Sequence, residues 1–220
     1  MALAAVLLAP GIAWGAFGGG AGFDSGQWRL GSEEAFEERR VNGFRAFAQW
    51  LPGDFRLTAG YRFLREEVID VVGRGGPEGA RHQNHLVSAL GGWEQAWFHL
   101  AIGAAGWRGE DFGDPLWLLR PAGRLRAGPR DWIYLEASAF DVSDWSIGPG
   151  AYKAGLGAQP GGARVFVGVA GDWNERLAVS VAGAMPLGGG VALDAGAGID
   201  AREPGHYLLV EAGLSGRWGP

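Results

Sequence analysis

The chain contains no cysteine among its 220 residues, which excludes a disulfide framework and any thiolate metal site. It contains only two methionines. No apolar run reaches the roughly 20 residues that a membrane-crossing helix requires; the stretch from Met1 to Gly15 falls short of it. No basic run is present and the formal net charge is −5, so no nucleic-acid partner is expected. The glycine clusters at 18–20 and 188–190 lack the strand, glycine loop and helix context of a phosphate or dinucleotide site. Asp111-Phe112-Gly113 has no glycine-rich loop to accompany it. No cofactor is expected.

What the chain does have is glycine (41 residues), tryptophan (11) and phenylalanine (11), distributed over segments that alternate with a period of two. In the C-terminal part Val165, Val167 and Val169 alternate with Arg164, Phe166 and Gly168. Leu177, Val179 and Val181 do so with Arg176, Ala178 and Ser180, and Leu208, Val210, Ala212 and Leu214 with Leu209, Glu211, Gly213 and Ser215. Val191, Leu193, Ala195 and Ala197 form a fourth such series. Earlier, Phe44, Ala46, Ala48 and Trp50 share one face, and Phe55, Leu57, Ala59, Tyr61 and Phe63 another. Such alternation marks strands with one apolar face. Strands are expected at 82–90, 96–104, 116–126, 133–139 and 152–158 as well, with Pro121 marking an edge, bulge or kink.

Tight turns are expected near 51–54, 91–94, 127–130, 159–162 and 186–190. Connections that are mostly longer or more polar are expected near 31–39, 66–81, 107–114, 141–149, 172–174 and 201–205. Each strand spans about 9–12 residues, enough to cross a bilayer when tilted. The expected fold is all-β, an antiparallel up-and-down transmembrane β-barrel of about twelve strands, ten being the next count. Residues 1–15 are expected to be a signal peptide, with small residues Ala13 and Gly15 before the cut, and residues 16–220 a single barrel domain.

The opposite strand faces carry Gly, Ala and Ser with interspersed charge, which suits a confined interior with lipid outside. A soluble β-barrel binding a small apolar ligand would instead bury the apolar faces. The cleavable-looking N-terminal segment, the dyad-repeat hairpins and the aromatic strand ends resemble Gram-negative outer-membrane β-barrel proteins. The chain closes on Trp218-Gly219-Pro220, whereas such proteins often finish on an aromatic. The resemblance implies residence in the bacterial outer membrane, outer-membrane lipid as surroundings, and delivery by the barrel-assembly machinery.

With the apolar faces turned to lipid, the lumen-facing basic candidates are Arg45, Arg56, Arg62, Arg124, Arg126, Lys153, Arg164 and Arg176, with Arg29 and Arg217 at the strand ends. The acidic ones are Glu136, Asp194 and Glu211, together with Glu94. A basic-leaning interior favours small anionic solutes, because guanidinium groups bind carboxylates and phosphates bidentately. The competing expectation is that the same residues pair with the inward acids and plug the barrel, with Phe47, Trp97 and Phe166 helping to close it. His82 and His85 point to opposite faces of a strand, so no metal site is expected. No base and orienting group accompany Ser88 or Ser138. The chain is therefore expected to be porin-like or structural rather than an enzyme acting on lipid.

Overall fold

A computed structural model describes residues 15–31, 35–73, 79–109, 117–129, 131–143, 152–171, 177–200 and 207–218. The signal-peptide expectation falls almost wholly outside these residues. The strands are β1 (Ala16–Gly31), β2 (Phe36–Leu51), β3 (Phe55–Val72), β4 (Arg81–Glu94), β5 (Phe98–Gly109), β6 (Leu118–Ala127), β7 (Ile133–Ala139), β8 (Tyr152–Ala158), β9 (Arg164–Gly171), β10 (Leu177–Gly188), β11 (Val191–Asp200) and β12 (Tyr207–Trp218). Each pairs antiparallel with its sequence neighbours, and β12 closes on β1 with Phe17 opposite Trp218. Closure leaves no free edge, as a sheet in hydrocarbon requires.

Side chains alternate between two environments along most of the strand length. Val165, Val167, Val169, Val179, Val181, Leu193, Leu208, Val210 and Leu214 all face outward and are exposed, and Ile102 and Leu119 reach 70% and 77%. Their immediate neighbours Phe166, Ala170, Ala178, Ser180, Asp194, Leu209 and Glu211 are buried. An apolar surface of this extent has no stable place in water, where exposed patches rarely exceed a few hundred Å². It overturns the soluble-barrel alternative. Aromatics frame the belt at both rims, as at membrane interfaces. Trp93, Trp97, Trp132 and Trp218 are exposed near the tight turns, and Phe23, Phe44 and Phe63 pair across β1, β2 and β3 toward the other end. The fold is that of the outer-membrane β-barrels.

Boundaries differ from the sequence reading in an informative way. The charged run at 32–40, expected as a loop, enters β2 from Phe36 onward, and β3 continues through Glu66 and Glu67 to Val72. Strands β1 to β4 are thus 16, 16, 18 and 14 residues long, while β7 and β8 have 7 each and β9 has 8. Over the described residues, one wall of the barrel is tall and the opposite wall low. Period-two hydrophobicity stops where a strand leaves the bilayer, so the tall wall's outer extension carried no signal. The turn expected at 91–94 falls at 95–97, because Gly91 and Gly92 continue β4 opposite Ile102 and Ala101. Pro121 sits in β6 opposite Ala104, just beyond Gly123, where pairing with β7 ends. A residue without an N–H fits where the ladder partner is lost.

Candidate functional site

The inward faces converge on a lumen, and three strands of the tall wall together with the adjoining β12 each present a charged residue with an apolar one above it. Asp24, Arg45, Arg62 and Glu211 come from β1, β2, β3 and β12. Arg45 Nη2 donates to Glu211 Oε2 at 2.7 Å, Arg62 Nε to Asp24 Oδ2 at 2.9 Å, and Arg62 Nη2 to Glu211 Oε1 at 3.1 Å. Arg45 and Glu211 are each 1% exposed. Buried charge is tolerable only when paired and hydrogen-bonded, and this fused network meets the condition.

Toward the long-loop end, Trp28, Val41, Leu64 and Leu209 follow on the same strands. They form one apolar cluster with Phe166, Ala178 and Ala182 from β9 and β10. Phe166 belongs to the far wall, so the cluster crosses the lumen. Farther out, Arg39 bridges Glu37 and Glu66, Asn84 donates to Glu66 Oε1 at 3.1 Å, and Trp107 Nε1 donates to Asn84 Oδ1 at 3.2 Å.

The low wall is filled differently. Lys153 Nζ lies 2.8 Å from Glu136 Oε1 and 4.3 Å from the Phe166 ring centre, while Arg164 Nη2 reaches Glu136 Oε1 at 3.3 Å. Arg126 shares Glu94 with Arg56 and stands 5.6 Å over the Tyr134 ring. Tyr134 lies against Gly157, where an added Cβ would come within 2.3 Å of the ring. Glycine there is the space the tyrosine occupies.

Above β7 the chain turns inward. Phe140 adopts φ 53°, an uncommon left-handed conformation for a bulky residue, and packs with Leu90, Ala101, Ala105 and Ala122. The Val142 N–H donates to Ser88 Oγ at 3.1 Å on β4, and Arg124 Nη2 meets Asp141 Oδ2 at 3.0 Å. A Cβ on Gly60 of β3 would stand 3.1 Å from Val142. The turn therefore reaches across to the tall wall. Beneath it lies a cavity of about 260 Å³ at the tight-turn end, lined among others by Arg56, Arg124, Ser143, Gln159, Arg164, Asp194, Ser215 and Arg217.

The structure places Arg45, Arg56, Arg62, Arg124, Arg126, Lys153, Arg164, Glu136, Asp194 and Glu211 on inward faces. It joins nine of them in four groups rather than one ring, while Asp194 bonds Ser215. Arg176 lies outside the described residues, as does His206. Arg29 is not inward: it alternates away from buried Trp28, lies 3.7 Å from Glu38 and stacks 4.0 Å over Phe36. Trp97 is 68% exposed in the turn and does not face the lumen, whereas Phe166 is buried in the apolar cluster inside it. His82 and His85 lie on opposite faces of β4, and His85 Nδ1 bonds the Tyr61 hydroxyl at 2.8 Å on the outer surface.

Besides Glu66, which fell in the connection expected near 66–81, two buried acids escaped sequence reasoning. Asp24 belongs to a strand whose inward positions are nearly all glycine (Gly18, Gly20, Gly22, Gly26), and that glycine period was the available signal. Asp141 enters through the inward turn, which no periodicity marks. With these two acids the interior charges come close to balance. Ser88, buried and accepting from Val142, is inside the barrel and away from the lipid surface.

No family model and no curated relative matches the chain. Among solved structures it is similar to outer membrane phospholipase A from Escherichia coli, at 12% identity over 89% of each chain with a TM-score of 0.44. It is also similar to the Salmonella typhi outer membrane phospholipase dimer with bound calcium, at 13% identity over 90% of each chain and a TM-score of 0.41. A mutant of Rh. blastica porin aligns at 10% identity over 92% of this chain and 100% of that one, with a TM-score of 0.39. At these identities and scores nothing of those proteins' chemistry carries over to this chain.

Proposed function

We propose that this chain is a sealed, non-enzymatic β-barrel of the bacterial outer membrane, a structural element that does not conduct in its resting conformation. The observation that carries this reading is the lumen's filling. Ion pairs on the tall wall, an apolar cluster reaching from β1–β3 to Phe166, and the inward turn at Phe140–Ser143 follow one another along the axis. A solute crossing here would have to break buried ion pairs and separate packed aromatics, whereas pores let an ion enter and leave with modest barriers. Catalysis on lipid finds no support among the described residues, since Ser88 engages a backbone amide in the interior and His85 engages Tyr61 outside. Outer-membrane lipid and the assembly machinery are the partners that go with this reading.

The second reading, a narrow pathway for small anions, is favoured by the arginine-rich cavity at the tight-turn mouth. Planar-bilayer recording separates the two. A folded barrel, verified by heat-modifiable migration on a cold SDS gel, should show no single-channel current. Reproducible anion-selective openings from the unaltered chain would overturn the sealed reading in favour of the pathway.

A further inference from the structure

The cavity at the tight-turn end has a composition that the sealed barrel leaves unused. Four guanidinium groups line it, from Arg56 on β3, Arg124 on β6, Arg164 on β9 and Arg217 on β12, and the acid among the lining residues is Asp194 on β11. Arg56, Arg124 and Arg164 already hold Glu94, Asp141 and Glu136. A guanidinium carries five N–H donors in a planar fork, so one carboxylate does not exhaust it. Arg217 stands exposed at the mouth. On the facing side Asp194, only 3% exposed, accepts from Ser215, and its Oδ2 has no partner among the described residues. The volume of about 260 Å³ lies below the roughly 300–1,000 Å³ of drug-sized ligand sites, so it suits one small molecule.

We infer that this vestibule is a binding site for a small hydroxylated organic anion, reached from the tight-turn side. The ligand's carboxylate or phosphate meets the arginines, with Arg217 at the entrance making the exchangeable contact. Its hydroxyls donate to Asp194 and Ser215. Arginine supplies the planar, bidentate geometry that such anions take. A carboxylate and a serine hydroxyl accept from a sugar-like hydroxyl, a requirement that chloride or sulfate, having no hydroxyl, does not meet. The roof at Ser143 makes the site a pocket rather than a channel, so binding and conduction are separate properties.

Calorimetric titration of the purified barrel in detergent tests this with three probes at fixed salt: D-glucuronate, succinate and D-glucose. Glucuronate should bind tightest, succinate more weakly, and glucose weakest. Arg217→Ala should weaken glucuronate and succinate by about tenfold, the scale of one charge-assisted hydrogen bond. Asp194→Asn should weaken glucuronate while leaving succinate unchanged or tighter. Arg81→Ala, on the outer surface, should change nothing, and gel migration reports whether each variant has folded. Equal affinity for glucuronate and glucose, or an Arg217→Ala barrel that binds glucuronate as the parent does, overturns the inference. Single-channel currents would contradict the sealed barrel while leaving this binding series intact.

Discussion

The tall wall and the low wall fill one lumen with different proportions of charge and rings. Strands β1 to β4 rise 14–18 residues, about 45–60 Å along the strand. Even when tilted, that exceeds the roughly 25 Å apolar band of such barrels. Strands β7 to β9, with 7 or 8 residues, run about 25 Å. The tall wall fills its share of the lumen with fused ion pairs, Arg45–Glu211–Arg62–Asp24. The low wall holds one carboxylate, Glu136, between Lys153 and Arg164 and adds rings laid over glycine, with Tyr134 on Gly157 and Phe166 beside Gly155 and Gly168. A short strand offers few positions, and a large flat side chain covers more of the interior per position.

The difference is testable by how each wall fails. Glu211→Ala removes the carboxylate that two buried arginines share. It should destabilise by about 3–5 kcal/mol, the cost of stranding a buried charge, read as a lowered urea midpoint from the intrinsic fluorescence of the 11 tryptophans. Gly157→Ala pushes a Cβ into the Tyr134 ring and should cost about 1–3 kcal/mol by overpacking. If Gly157→Ala proved costlier than Glu211→Ala, the account of the two walls would be reversed. Ser88→Ala deprives the Val142 N–H of its acceptor. It should cost about 1 kcal/mol, near the low end for an unsatisfied buried donor, and raise amide exchange locally at the inward turn. Arg81→Ala touches only an exposed pair with Glu67, its side chain 59% exposed, and should stay within about 1 kcal/mol of the parent.

Most of the barrel was legible because lipid imposes period two directly. Val165, Val179 and Leu208 face outward as their alternation requires, and the count of twelve strands follows from the turns. The candidates from Arg45 to Glu211 are inward for the same reason, since each alternates with a lipid-facing residue. What periodicity could not convey was anything beyond the bilayer or off the strand. Phe36 to Arg40 and Glu66 to Val72 look like loop because they are rich in charge, although β2 and β3 pair through them across a bulge at Glu38/Arg39. Arg29 was expected among the inward residues, yet it points out. The glycine series from Gly18 to Gly26 fixes the parity and turns Arg29 out. Pairing partners were also invisible: alternation gives a face, and only the barrel's closure brings Glu211 of β12 to Arg45 of β2.

Sidedness is the claim on which everything else depends, and the absence of cysteine makes it directly measurable. Single cysteines at Val179, Ser180, Leu208 and Leu209, each spin-labelled in lipid vesicles, would be probed for collision with oxygen and with a polar nickel chelate. Positions 179 and 208 should show high oxygen accessibility and low chelate accessibility, while 180 and 209 are shielded from both. Inverted alternation, with 180 and 209 in lipid and 179 and 208 packed in a dry centre, would contradict the account.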